Sequence, residues 1–217
     1  MTVIPKLAST VVLMDDFSRV YLTKRPKTMK FLGGFYVFPG GSVEVEDNVI
    51  DSKYIKNGSL NESFSQAHYV AAARELFEEV GILLCSRDDG STAQFTNKTE
   101  LEYRRLLLNE EISFLQLLEQ EKLFLNLENI TYFGNRITPE KNPIRFDTRF
   151  FLAKLPEGQS PNPDAHEIDE AFWITPEEAI SAYKSGKMPM VSPTITSLRT
   201  IMNYQKGAPL MMPERQK

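Results

Sequence analysis

The sequence has very little cysteine and no excess of positive charge. One cysteine, Cys85, stands among 217 residues, so no internal disulfide can form, and such a chain suits a reducing cytosol. Lysine and arginine number 25 against 29 aspartates and glutamates, which gives a formal net charge of −4. That balance excludes a surface that attracts a nucleic-acid backbone wholesale. A phosphate-bearing ligand would need a local positive patch or a bound cation.

Long apolar runs are also lacking. No stretch approaches the roughly 20 residues that a membrane helix needs, and the chain does not start with positive charge followed by a long apolar run. We therefore expect no membrane and no nucleic-acid partner, no signal peptide, and a cytoplasmic location. The chain is 41% hydrophobic and 25% charged, which is typical of a folded protein with a substantial core.

The order of apolar and polar segments predicts a mixed α/β (α+β) fold with antiparallel elements. β-Branched and aromatic runs predict strands at residues 8–14, 19–23, 35–38, 130–133, 147–155 and 172–174. Helical patterns cover residues 65–84, 100–109 and 112–123, while about 46–64 and 86–98 are polar and irregular. Two more helices are expected. One begins at a capping box of Thr175 and Glu178 with Pro176 at the first helical position, and the other begins in the same manner at Ser192-Pro193. Without repeats or a linker, residues 1–217 are predicted to form one domain.

The helix predicted over residues 65–84 places three glutamates on one face. At about 100° per residue, Glu78 lies about 60° to one side of Glu75 and Glu79 about 40° to the other. Gly81 follows as a helix-stopping residue. The opposite face, which we expect to pack into the core, carries Tyr69, Ala73, Leu76, Phe77 and Val80.

This acidic face has two interpretations. It could be the solvated side of an amphipathic helix. However, three carboxylates on a short arc repel one another. Arg74 is the one cation within i,i+4 reach, and the residue that it can pair with at this spacing is Glu78. A bound divalent cation would relieve the repulsion, and oxygen ligands of this kind favour Mg²⁺ or Mn²⁺ over zinc.

Two glycines, Gly40 and Gly41, end the strand predicted at residues 35–38. Glycine lets the backbone turn tightly and approach another group closely, so that a carbonyl could serve as a ligand. A plain strand-ending turn is the simpler interpretation of this pair taken alone.

Together, these segments resemble the signature of the Nudix hydrolases, G-x5-E-x7-R-E-U-x-E-E-x-G-U, in which U is a bulky aliphatic residue. Gly41 begins it, and residues 74–82 complete it without a mismatch. There are two departures. The acid six residues after Gly41 is Asp47 rather than glutamate, and 26 residues (48–73) follow it where the family usually has seven, so 19 are inserted. The insertion costs little closure entropy. The shorter side chain of Asp47 raises the question of whether this position keeps the supporting role that glutamate has in the family.

The resemblance implies a Nudix fold, a mixed sheet sandwiched between helices, and hydrolysis of a nucleoside diphosphate linked to another group. It also implies that Glu75, Glu78 and Glu79 are metal ligands, with the carbonyl of Gly40 as a further one. Arg74 would orient these carboxylates.

The segment ahead of the signature is similar to a narrower pattern, L-L-T-x-R-[SA]-x3-R-x3-G-x3-F-P-G-G, of the coenzyme A diphosphatase branch. Its spacing is kept throughout, from Tyr21 to Gly41, with Tyr21, Pro26 and Lys30 as substitutions. Residues 145–156 and 173–177 and the long insertion also resemble this branch. The resemblance implies that Arg25, Lys30, Gly40 and Gly41 bind the substrate, with the two cations contacting its phosphates. For Arg25 and Lys30, a solvated hairpin edge is the alternative.

A general base is still needed, and the family often takes one from the loop before a tryptophan-bearing strand. Glu167, six residues before Trp173, is the candidate, and His166 is a weaker one. Asp147 and Arg149 would either face the site or form a structural salt bridge, and His68 is expected to be structural. The inserted helices at about 86–127 are expected to form a lid or a dimer contact.

The sequence therefore predicts a metal-dependent diphosphatase that splits coenzyme A or acyl-CoA into a phosphopantetheine and adenosine 3′,5′-bisphosphate. One alternative is the same chemistry on ADP-ribose, nucleotide sugars or dinucleotides. Another is a Nudix-fold module that binds a ligand without catalysis. The expected partner is a small nucleoside diphosphate, and a homodimer stays open.

Overall fold

The computed structural model describes residues 3–58 and 60–213. The layered arrangement of the molecule follows from the alternating directions of the side chains along the first strand. Strand β1 (Lys6–Met14) sends Val11 and Leu13 into one apolar core and Val12 into another. Successive side chains of a strand point to opposite faces of its sheet. An apolar core therefore lies on each face, and both faces must be covered.

The remaining elements have the following bounds. The strands after β1 are β2 (Val20–Lys24), β3 (Tyr36–Val37), β4 (Gly40–Ser42), β5 (Ile55–Lys56), β6 (Cys85–Ser86), β7 (Phe124–Asn126), β8 (Ile130–Ile137), β9 (Phe146–Lys154) and β10 (Glu170–Ile174). The α-helices are α1 (Ala67–Val80), α2 (Asn97–Leu108), α3 (Phe114–Glu121), α4 (Pro176–Lys184) and α5 (Ser192–Tyr204). Short 3₁₀ turns occupy Glu46–Val49, Ser52–Tyr54 and Leu127–Asn129.

The central sheet is mixed. Its strand order is β10-β2-β1-β9-β8, with β3 joined to β2 and β4 joined to β1. The pair β1–β9 is parallel, and the other pairs of this sheet are antiparallel. Helix α1 packs into the core on one face, and α4 and α5 pack into the core on the other. The predicted sandwich of a mixed sheet between helices is confirmed.

Two short pieces of strand differ from the sequence-based expectation. Gly40–Ser42 continues as strand β4 along β1 instead of ending the preceding strand. Ile55–Lys56, expected to be irregular, joins a second sheet of order β5-β7-β6. Elements of two or three residues are too short to show a periodic pattern in the sequence. They form because they pair with other strands in the folded protein, and local preference does not determine them.

Helix ends follow local chemistry. Helix α1 ends at Val80, and the next residue, Gly81, adopts the left-handed conformation with φ of 72°. The periodic pattern predicted a helix as far as residue 84, but residues 82–84 are not helical. The capping box of Thr175 and Glu178 is present. Helix α5 also begins at Ser192-Pro193 as expected, but the N-cap position is Val191, so the expected side-chain cap by Ser192 was wrong.

The inserted helices pack as part of the protein core. Phe114, Leu117 and Leu118 of α3 belong to the same apolar cluster as α1, while Leu101 and Leu108 of α2 face outward. A detachable lid would not contribute fully buried side chains to the main core. The alternative of a dimer contact stays a prediction. Within the described residues, no helix combines the length and the apolar character that crossing a membrane requires.

Shortening a buried side chain of the insertion should therefore destabilise the whole domain. Leu117 is 0% exposed and Leu101 is 51% exposed. We expect Leu117→Ala to lower the free energy of unfolding by about 2–5 kcal/mol and the matched Leu101→Ala to lower it by less than about 0.5 kcal/mol. Urea denaturation followed by the fluorescence of the single tryptophan measures both. Equal values for the two variants would mean that α3 is not part of the core.

Candidate active site

Helix α1 is buried on its acidic face as well as on its apolar face. Arg74 is 4% exposed, Glu78 is 7% exposed and Glu79 is 6% exposed. Long charged side chains are seldom buried to this extent unless they are paired or bind a ligand. The interpretation of this face as a solvated helix surface is therefore wrong.

The guanidinium of Arg74 is the centre of the cluster. Its Nη1 donates to Glu78 Oε2 at 2.9 Å and to Glu75 Oε1 at 3.2 Å. Its Nε and Nη2 donate to the two carboxylate oxygens of Asp47, each at 3.0 Å, and Nη2 also donates to the carbonyl of Ser42 at 2.9 Å. This bidentate geometry fixes the plane of the guanidinium.

Asp47 resolves the question raised by the shortened acid. It is 1% exposed and also accepts a hydrogen bond from the backbone N–H of Glu44 at 2.8 Å. The 3₁₀ turn Glu46–Val49 carries Asp47 close enough for aspartate to reach Arg74. The lengthened segment follows Asp47 in the sequence, and the contact between Asp47 and Arg74 is present despite it.

The cluster holds more negative than positive charge. Arg74 lies within ion-pair distance of Glu44, Asp47, Glu75 and Glu78. Burial, opposed by Arg74, raises the pKa of Glu75 to about 7 and that of Glu78 to about 8. Burial, then the charges of Glu75 and Glu167, raise the pKa of Glu79 well above its ordinary value.

The glycine pair lies between β1 and α1. The N–H of Gly40 donates to Glu79 Oε2 at 3.1 Å. A β-carbon on Gly40, whose φ is 147°, would collide with the backbone of β1, and one on Gly41 would collide with the Glu75 carboxylate. At position 40, only glycine therefore lets β4 pass this close to the backbone of β1. The role of the Gly40 carbonyl as a metal ligand stays a prediction.

The loop before β10 is tied to the end of α1. Asn162 and Asp164 donate backbone hydrogen bonds to the carbonyls of Val80 and Glu79, both at 2.8 Å. This brings Glu167, which is half-buried, near enough for its charge to raise the pKa values of Glu75 and Glu79. His166 is exposed. Of the two predicted bases, Glu167 is the one that lies toward the glutamates.

A cavity of about 490 Å³ adjoins the glycine strand. Gly40, Gly41 and Arg25 form part of its wall, and the buried Nε of Arg25 has no hydrogen-bond partner within the described protein. Lys30 is exposed on the neighbouring turn, outside the cavity lining. The predicted roles of these cations in binding substrate stay predictions.

The cavity wall has a distinct composition. Within the described residues, no aspartate or glutamate lines it, whereas Arg25 and Arg136 do. Much of the remaining wall is apolar, including Phe31, Phe38, Ile137, Phe146, Phe150 and Pro193. Such a volume and lining fit an organic ligand of medium size that carries negative charge.

Three residues considered from the sequence have structural surroundings. Asp147 and Arg149 form an ion pair with each other, and Arg149 lies over the ring of Phe64 with 5.5 Å to its centroid. His68 is buried, and its Nδ1 lies 3.2 Å from both Ser9 Oγ and the carbonyl of Ala8. These contacts favour the structural interpretation of all three.

The donor chemistry of the cluster fits a hard divalent cation. Its acidic side chains supply carboxylate oxygens, and a dication would offset the negative charge that Arg74 leaves unbalanced. In the described residues, no three acidic, histidine or cysteine side chains already converge as a ligand set. Glu78 turns to Arg74 and Glu79 turns to the Gly40 amide, so these carboxylates would reorient toward an ion.

Some site residues were not found from the sequence. The cavity wall draws on the β8–β9 connection and the start of α5, and Arg104 of α2 reaches the carbonyls of Glu78 and Glu79. A helical pairing of Glu100 with Arg104 was visible in the spacing. Nothing local indicated that Arg104 contacts a helix more than 20 residues earlier.

Comparison with known proteins agrees with this geometry. The family model described as NUDT19 Nudix domain matches residues 52–201. A Caenorhabditis elegans protein named as a nudix hydrolase is 29% identical over 191 residues, covering 88% of this chain and 58% of that protein. The acyl-coenzyme A diphosphatase NUDT19 of Xenopus laevis is 26% identical over 228 residues, covering 85% and 60%. The chain thus spans about three fifths of the length of these relatives.

A solved structure is similar over the whole chain. The crystal structure of a Nudix hydrolase from Alicyclobacillus acidocaldarius superposes with a TM-score of 0.81 at 25% identity, covering 99% of this chain and all of that one. A MutT Nudix hydrolase from Burkholderia pseudomallei, 15% identical with a TM-score of 0.51, shares the fold. The fold of this chain is therefore shared with solved Nudix hydrolases, over nearly its whole length in the Alicyclobacillus structure.

The raised pKa values make the metal-free protein sensitive to pH. In the folded protein the pKa of Glu75 is raised to about 7 and that of Glu78 to about 8, from an ordinary value of 4.5. Between pH 4.5 and these values, the folded state therefore binds more protons at these two glutamates than the unfolded state does. Their stabilising contribution is complete below about pH 4.5 and is lost as pH rises through 7 and 8. We expect the melting temperature in EDTA to fall between pH 6 and pH 8.5.

Glu78→Gln should reduce that fall, because one of the two titrating groups is removed. The exposed Glu140→Gln serves as its control and should follow the wild type. Differential scanning calorimetry at several pH values makes the comparison. A melting temperature that rises over this interval in all three proteins would contradict the account.

Proposed function

Because this chain belongs to the NUDT19 Nudix domain family, we propose that it hydrolyses the diphosphate of a nucleoside diphosphate linked to another group. The preferred substrate is coenzyme A or acyl-CoA. The products are then a phosphopantetheine, acylated or not, and adenosine 3′,5′-bisphosphate.

One observation carries the proposal: a buried acidic cluster and a cationic, partly apolar cavity meet at the same glycine strand. Gly40 binds Glu79 through its amide, Gly41 lies against Glu75, and both glycines line the cavity. A diphosphate at this junction would lie between the carboxylates and Arg25. Neither half alone would both hold and activate such an anion.

The acidic side would hold Mg²⁺ or Mn²⁺ through Glu75, Glu78, Glu79 and the carbonyl of Gly40. When bound, such an ion neutralises the diphosphate and sharpens a water molecule into a nucleophile. Arg74 orients the glutamates, and Asp47 in turn fixes Arg74 from the opposite side. Because phosphoryl transfer depends chiefly on positioning and charge stabilisation, these residues suffice for the chemistry.

Glu167 acts as the general base in this proposal. Its carboxylate accepts a proton from the attacking water, and its loop is held to α1 by the hydrogen bonds of Asn162 and Asp164. The charge that Glu167 exerts on Glu75 and Glu79 supports its placement beside the reaction centre.

The cavity accommodates the organic part of the substrate. Arg25 contributes a cation whose Nε would gain a partner from a phosphate oxygen. Lys30, on the exposed turn, would contact phosphates that extend outside. The phenylalanine-rich wall favours a ligand with an apolar portion, which supports acyl-CoA over ADP-ribose or a nucleotide sugar. A cytoplasmic location and a homodimer remain expectations for this function.

Substrate preference can be measured with a panel of coenzyme A, acetyl-CoA, a medium-chain acyl-CoA, ADP-ribose, a nucleotide sugar and a dinucleotide. We expect the coenzyme A compounds to give the highest kcat/KM, and mass spectrometry to identify adenosine 3′,5′-bisphosphate as a product. Cleavage of ADP-ribose with coenzyme A untouched would refute the narrower proposal. No hydrolysis of any member would favour the non-catalytic module.

Replacing one glutamate tests the acidic cluster. Glu79→Gln keeps the side-chain shape but removes a carboxylate, and we expect kcat to fall by about 100-fold or more, the scale of a key transition-state contact. Glu140→Gln, on an exposed loop, should leave kcat unchanged. Steady-state kinetics at saturating Mn²⁺ measures both. An unchanged rate for Glu79→Gln would remove its proposed role.

A further inference from the structure

The last turn of α1 has all four of its carbonyl groups occupied. A helix C-terminus leaves four carbonyls without partners inside the helix. Gly81 N–H donates to Phe77, and Asn162 N–H donates to Val80. The two middle carbonyls belong to Glu78 and Glu79, and both accept from the side chain of Arg104.

Arg104 uses its whole guanidinium for this purpose. Nε donates to the Glu78 carbonyl at 3.0 Å, and Nη2 donates to the Glu79 carbonyl at 3.2 Å. Nη1 donates to the carbonyl of Asn162 at 2.8 Å and to Glu100 Oε1 at 3.0 Å. Arg104 is 3% exposed, so these contacts are shielded from water. It thereby joins α1 to the loop that leads to Glu167.

The helix that carries Arg104 is itself fixed against α1. Tyr103 stacks on Phe95 with 5.2 Å between ring centroids, and Phe95 meets Phe77 of α1 at 6.0 Å. Glu100 lies against Gly81, where a β-carbon would collide with its carboxylate. The inserted helix α2 therefore approaches the end of α1 in one position, and Arg104 transmits that position to the backbone of the glutamates.

We propose that Arg104 is a positioning residue for the reaction, which sets Glu78 and Glu79 and the Glu167 loop in register with one another. The inference rests on the proposed function, because it assigns the insertion a role at that same site. The positive charge at a helix C-terminus also stabilises the helix. A purely stabilising role would leave metal affinity and kcat unchanged in folded protein, whereas positioning would alter both.

The test compares three variants with the wild type. Arg104→Met removes all the side-chain hydrogen bonds of Arg104 and keeps an unbranched side chain of similar length. Arg104→Lys keeps the charge but cannot reach Glu78, Glu79 and Asn162 together, because an ammonium is a compact donor without the planar fork. Arg105→Met is the matched control, since Arg105 is the next residue on α2 and pairs with Glu102 and Glu111 at the exposed surface.

Two properties are measured at a temperature where circular dichroism shows each variant to be folded. The first is the Mn²⁺ dissociation constant, from the electron paramagnetic resonance signal of free Mn²⁺. The second is kcat and KM for the best substrate of the panel. Residues that orient metal ligands typically change affinity or activity by about 10–100-fold. For Arg104→Met we expect a Mn²⁺ dissociation constant raised about 10-fold and kcat lowered about 10-fold or more, with KM within about threefold.

Arg104→Lys should fall between Arg104→Met and the wild type, and it decides the matter if Arg104→Met does not fold. Arg105→Met should match the wild type in both properties. Wild-type values for folded Arg104→Lys and Arg104→Met would overturn the inference, as would a wild type that binds no Mn²⁺. If the wild type binds Mn²⁺ but cleaves no substrate, the proposed function fails, and the Mn²⁺ affinities of the variants alone decide about positioning.

Discussion

The pairing of one buried guanidinium with several carboxylates is the constraint on which the site depends. Arg74 contacts Asp47 on one side and Glu75 and Glu78 on the other, in a place that water scarcely reaches. Burying charge is costly, and here the cation does not balance the acids. A protein selected for stability alone would gain by replacing such a cluster with apolar side chains. The presence of this cluster on a helix that is otherwise largely apolar is explained by acids that serve a ligand.

Several separate segments are arranged around this cluster. The glycine strand β4 brings a backbone amide to Glu79, and the turn at Glu46–Val49 brings Asp47 to Arg74. From the other end, α2 and the loop before β10 occupy the carbonyls of the last helical turn. The cluster is therefore held through side chains by β4 and the Asp47 turn, and through backbone carbonyls by α2 and the loop before β10. Rigid support of this kind is what a metal site or a phosphoryl-transfer site requires.

The parts that the sequence predicted are those with a local signal. Glu75, Glu78 and Glu79 share a face because helical geometry alone places them there, and a run of β-branched and apolar residues indicates strand β1. The capping box at Thr175 was likewise readable within four residues. Each of these features depends on neighbours in the chain, so its physical cause is present in the sequence itself.

The parts that it did not predict depend on contacts between distant segments. Asp47 reaches Arg74 across 27 positions and Arg104 reaches Glu78 across 26, so neither contact follows from periodicity. The sheet of β5, β6 and β7 consists of pieces too short for a pattern. The cavity wall combines residues from β1, β9 and α5, which only the folded sheet brings together.

We propose that the acids around Arg74 form a divalent-metal site beside the cavity. The most direct measurement is a crystal structure of the wild-type protein grown with Mn²⁺, with anomalous diffraction used to locate the ion. We expect an anomalous peak within coordination distance of carboxylate oxygens of Glu75, Glu78 and Glu79. A fully occupied Mn²⁺ elsewhere on the molecule, or no peak at millimolar Mn²⁺, would contradict the account.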